Sequence, residues 1–223
     1  MNEQMKRRAR FLLVFGAYFV GLWLLWGTPV VYPLKLFVVL LHEISHGLAA
    51  LATGGRIDAI EINPREGGFC RCGGGSAFLT LSAGYLGSLF WGGLMIWGAR
   101  RLGSRSDWLT AGIGLVAAGT SFLFVRQPFA LAFGLAFGGA LVAAGVRLGA
   151  GANRALLTGL GLTSCLYAVL DIKSDILDRP NMMSDARMLA ELTGIPTVVW
   201  GTAWIAIAIA FCVVLFRWAW SRA

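Results

Sequence analysis

Charge is scarce in this chain. Of its 223 residues only 13% are Asp, Glu, Lys or Arg, about half the share of an ordinary soluble domain. That excludes a soluble fold with a fully solvated surface. Histidine is scarcer still, with His42 and His46 alone, so no site needing three imidazoles can be built. Cysteine is limited to four residues. Cys70 and Cys72 form a Cys-x-Cys without the second pair of a zinc ribbon, and Cys165 and Cys212 lie in apolar runs. All four are expected to be reduced thiols or packing residues. No internal repeat, low-complexity tract, long linker or PDZ-like sensing segment is present, and residues 1–223 read as one domain.

Apolar sequence is what the chain has instead. Hydrophobic residues make up 57%, and a membrane span needs about 20 of them in succession. Seven segments qualify or nearly so: 11–26, 33–53, 78–99, 108–125, 128–146, 155–177 and 197–218. The expected fold is an all-α polytopic bundle of six or seven transmembrane helices. Glycines at helical spacing, such as Gly134 and Gly138, suit close approach of packed spans. The net charge of +8 comes from arginines in short loops beside the spans, which points to topology and lipid headgroups and away from nucleic acid. "MKRRAR" before the first apolar run resembles a signal n-region, but no small-x-small cleavage pattern follows, so an uncleaved anchor is expected. Counting seven alternating spans, a weak excess of Lys and Arg places the amino terminus in the cytoplasm. The expected location is multi-pass in a bilayer, the plasma membrane if the source is bacterial.

Between the second and third spans lies "TGGRIDAIEINPREGGFCRCGGGSAF". A β-branched stretch, turn chemistry at "NPREGG" and "FCRC" predict a short β-hairpin. It is either a surface loop or an element that dips toward a site and offers a strand edge to a peptide. Later, "SDARMLAELTGIP" reads as a short amphipathic helix with Ser184 at its N-cap.

The chemistry is concentrated in "VVLLHEISHGLAA". Residues i and i+4 share a helix face, so His42 and His46 can direct two imidazole nitrogens at one ion, with Glu43 beside them to take a proton from the attacking water. Acidic and basic groups at bilayer depth cost roughly 2.5 to 3.5 kcal/mol each on insertion scales. Structural zinc binding, worth about 10 to 16 kcal/mol in small peptides, outweighs that. Zn2+ is therefore the expected cofactor. With no third histidine, the remaining ligand must be a carboxylate or a thiol, and Asp171 and Asp175 are the carboxylates within or at the edge of a span besides Glu43. At 1.5 Å per residue, the histidines lie roughly 14 and 20 Å along their helix, Asp171 roughly 24 Å and Asp175 roughly 30 Å along theirs. Depth favours Asp171 as ligand, with Asp175 as the alternative or as an acceptor that orients a ligating histidine.

The motif, "GGGSAFLTLSAGYLGSLFWGGL", "YAVLDIKSDIL" and "SDARMLAELTGIPTVVW" together resemble the site-2 protease clan of intramembrane zinc metallopeptidases, in its small B-like branch. The resemblance implies that His42, His46 and Asp171 bind zinc, that Glu43 activates water, and that the hairpin presents the substrate. It implies as partners the lipid bilayer and a membrane-embedded or membrane-proximal protein or peptide substrate. Better-known members carry Leu-Asp-Gly at the aspartate, preceded by an Asn and two prolines; here Ile172 follows Leu170-Asp171 and no such stretch precedes it. The expected activity is metalloendopeptidase, through a polar cavity that admits water. The rival readings are a membrane metal transporter, since intramembrane ionisable groups mark ion paths, and a catalytically silent scaffold that keeps the metal for stability.

Overall fold

The computed structural model describes residues 3–178 and 183–221. Eight helices follow in order: α1 (Glu3–Leu25), α2 (Tyr32–Ala52), α3 (Ala77–Arg101), α4 (Ser106–Phe124), α5 (Pro128–Arg147), α6 (Ala150–Lys173), α7 (Asp185–Thr193) and α8 (Thr197–Trp220). Between α2 and α3 lies the hairpin β1 (Arg56–Ile62) and β2 (Gly68–Gly73), and a π-helical turn, Ser174–Asp178, extends α6. All but α7 are long and apolar enough to cross a membrane. The protein is an integral membrane protein of the all-α class with one short hairpin.

α2 is the central helix. Its stretch from Lys35 to Gly47 is buried without a break, as a helix apolar on all sides should be when enclosed by others. The spans around it pack through small residues. A side chain on Gly138 would meet the Ala118 amide of α4 at 2.7 Å, and one on Gly92 would meet Gly161 O of α6 at 2.8 Å, so these backbones approach as glycine alone allows. Gly134, the other expected packing glycine, lies against Ser121.

The hairpin is not a surface loop. Ile60 and Ile62 are fully buried, and three anchors hold the element along α2. At the tip, Glu66 pairs with Lys35 Nζ at 2.6 Å and Tyr32 Oη donates to Pro64 O. On the far side, Ile60 bridges Val125 and Gln127 donates to Glu61. At the base, Ile57 fills the space beside Gly47.

One expectation needs correction. Cys70 and Cys72 are joined in a disulfide and are not reduced thiols. Residues i and i+2 of a strand point to the same face, and these Cα atoms are 5.6 Å apart, within the usual bridging range. Cys165 and Cys212 are free, as expected. The directions of the helices follow from their mutual contacts. Tyr18 of α1 donates to Gly159 O and Trp26 packs on Tyr167, so α1 runs in the same direction as α6. α2 does so too, because both α2 and α6 are antiparallel to α3: Thr53 meets Ser76 and Ser45 meets Trp91, while Tyr85 meets Asp175 and Gly92 meets Gly161.

Candidate metal centre

His42 and His46 lie one turn apart on α2, with ring centroids 4.8 Å apart. Both are at least nine-tenths buried. The helix alone does not aim them. His46 Nδ1 lies 2.7 Å from Thr80 O; a carbonyl can only accept, so Nδ1 carries the proton and Nε2 keeps its lone pair. The ring of His42 is held by the edge of Tyr85, 5.1 Å between centroids. Gly84 of α3 faces both imidazoles, and a side chain there would overlap them. "SAGYLGS", Ser82 to Ser88, thus forms one wall of the site. Behind it, Trp91 Nε1 donates to Ser45 Oγ at 3.2 Å and fixes α3 against α2.

Potential ligand atoms of His42, Glu43 and His46 lie within 4.8 Å of one another. Glu43 is buried, its Oε2 makes no hydrogen bond, and the Cys70 amide of β2 donates to its carboxylate. Gly68 of the same strand presses on it closely enough that a side chain would collide with the carboxylate. The hairpin therefore covers the glutamate, as the dipping alternative requires.

The three aspartates take different places. Asp171 Oδ2 is 3.8 Å from His42 Nδ1, beside the nitrogen that faces away from His46. Asp175 accepts from the Tyr85 hydroxyl. Asp185 approaches both histidines, its Oδ2 lying 3.0 Å from His42 Nε2 and 3.2 Å from His46 Nε2.

Sequence reasoning passed over Asp185 because it weighed only aspartates in the long spans. A signal was available. Ser184 caps α7 by accepting from the Arg187 amide, Asp185 opens the helix, and its apolar face, Ala186 and Leu189, is fully buried. A short amphipathic helix that buries its face carries its first-turn carboxylate to the core.

The arrangement fits a divalent ion. Two imidazole Nε2 atoms and one carboxylate oxygen converge, which is a donor set of zinc enzymes. Gly84 leaves room for the rings, and the orphaned Glu43 oxygen waits beside them without a partner in the protein, which is costly unless a ligand or water satisfies it. A cleft of about 470 Å³ opens over these groups, lined by Glu66–Cys70 of the hairpin, Trp26, Tyr167 and Asp171.

No curated protein and no solved structure matches the chain. A model of the Peptidase M50B-like family matches residues 15–215, a stretch that holds both histidines, Glu43, the hairpin and all three aspartates. With nearly all of its length covered, the chain belongs to the Peptidase M50B-like family, which is the site-2 protease family.

Proposed function

We propose that the protein is an intramembrane zinc metalloprotease that hydrolyses peptide bonds of membrane-embedded or membrane-proximal substrates. The observation that carries this reading is the convergence of His42 Nε2, His46 Nε2 and the Asp185 carboxylate beside a buried glutamate with an unpartnered oxygen. His42, His46 and Asp185 would hold the ion. Asp171, near the other nitrogen of His42, is placed to orient that ring. A zinc ion there would polarise the scissile carbonyl and lower the pKa of its water to about 7. Glu43 accepts the proton of the attacking water and returns it to the leaving amine. Its burial keeps bulk water from competing, and the Cys70 amide keeps its carboxylate in place.

The hairpin supports the same reading. β1 is paired on both sides, to β2 and through Ile60 to Val125, whereas Gly67, Gly68 and Phe69 line the cleft. An unwound substrate can add to this edge as an extended strand, which would draw its carbonyl past Glu43.

Glu43→Gln preserves shape and removes the proton acceptor. In proteoliposomes containing a transmembrane substrate peptide, it is expected to retain zinc and to lose cleavage by about 10²- to 10⁴-fold, the usual contribution of a general base. Undiminished cleavage would refute the mechanism. Zinc flux across the vesicle without cleavage would favour a carrier, and zinc-dependent folding without cleavage in the wild type would favour a silent scaffold.

A further inference from the structure

On the other side of α6 from the metal centre is a second, half-open cavity, of about 600 Å³, lined by α1, α3, α6 and α8. It follows α6 from Arg154 to Val169, about 22 Å at 1.5 Å per residue. Its walls are almost wholly apolar, with Phe15 and Phe216 on one side and Leu162 on the other. The hydroxyls that border it are already engaged, Tyr18 Oη with Gly159 O and Thr163 Oγ1 and Thr158 Oγ1 with Arg154 O. Water in such a space would lack the two to four polar partners it needs, and hydrocarbon would not.

One end differs. Arg100, in the last turn of α3, and Arg154, the fifth residue of α6, both border the cavity there. Arg100 Nη1 donates to Ala219 O at 3.3 Å, which fixes the guanidinium at the end of α8. Arg154 is exposed. A guanidinium fork is matched to phosphate oxygens, and basic pockets between membrane helices take anionic headgroups. A long apolar slot closed by two such forks has the shape and charge of one kind of molecule.

We propose that this cavity binds an anionic phospholipid of the surrounding bilayer, one acyl chain lying along α6 and the phosphate held by Arg100 and Arg154. The bound chain completes the packing of α1 and α8 on the core. The inference is independent of the proteolytic reading, since it shares no residue with the metal centre.

The full-length protein, delipidated in detergent, is titrated with dioleoyl phosphatidylglycerol and, separately, with dioleoyl phosphatidylcholine. Native mass spectrometry and thermal unfolding are the readouts. The acid lipid is expected to bind at least tenfold tighter and to raise the unfolding temperature more. The Arg100→Gln/Arg154→Gln double variant should lose that tenfold preference while keeping a cooperative thermal transition without added lipid, which reports correct folding. A Leu162→Trp variant, which fills the slot, should weaken both lipids. Should the double variant fail to fold, the wild-type comparison and the Leu162 variant decide. Equal binding of the two lipids overturns the proposal, as does displacement of the phosphatidylglycerol by a transmembrane substrate peptide.

Discussion

Two neutral imidazoles do not balance a divalent ion, so the charge and position of the carboxylate beside them govern affinity. Asp185 shares one oxygen between both Nε2 atoms, whereas Asp171 is 3.8 Å from the opposite nitrogen of His42. The two are therefore expected to behave differently when neutralised. Asp185→Asn should abolish stoichiometric zinc, measured by elemental analysis of the purified protein. Asp171→Asn should keep the metal with affinity reduced about 10- to 100-fold, the usual effect of losing a group that orients a ligand. The reverse result would make Asp171 the ligand. The pair His42 and His46 was legible because four residues along a helix return to the same face. The rise per residue also brought Asp171 to within roughly 4 Å of the level of His46. Asp185 was not legible in that way, since no periodicity relates a residue on α2 to one 139 positions later across a turn.

At the scale of elements, the hairpin depends on its tip. Lys35 is nearly buried on α2, lies 5.4 Å from the Trp26 ring centroid, and is matched by Glu66. Removing one member of a buried pair costs about 3 to 5 kcal/mol because it strands the other charge. Glu66 is partly exposed, so Glu66→Gln is expected to lower stability by less than that range, read as a fall in the thermal midpoint in detergent. Because Gly67 and Gly68 follow Glu66 directly and Gly68 packs on Glu43, the same variant should also reduce turnover with zinc content unchanged. A Lys35→Met/Glu66→Met double variant should recover part of the stability, since an apolar pair of similar size often replaces a buried ion pair without loss. The hairpin's existence was legible from its turn residues and branched strand. Its burial was not, because Ile60 and Ile62 find their partners in Val125 and α2.

Across the whole molecule, the candidate metal centre joins α2 to α7, with α3 as its wall. α7 is short, and its own packing rests on Ala186 and Leu189 beside Tyr85, Ile172 and Trp204. An ion bound to the folded state alone adds about 2.7 kcal/mol when present at 100 times its dissociation constant. Chelation should accordingly lower the unfolding temperature of the wild type and make the segment from Asp185 to Thr193 more accessible to protease. Restoring zinc should reverse both. The Asp185→Asn variant should unfold at the same temperature with and without chelator; a shift equal to that of the wild type would show that α7 does not share the ion.

The sequence by itself determined the membrane class, the spans and the histidine–glutamate motif, because each depends on length, hydropathy or helical period within one segment. It also carried the family resemblance, through motifs spread along the chain. Only the tertiary structure decided that α1 and α2 run the same way, that β2 covers Glu43, that Cys70 and Cys72 pair, and which aspartate meets both imidazoles. Those features arise from side chains far apart in the chain competing for the same small volume, and no local pattern encodes that competition.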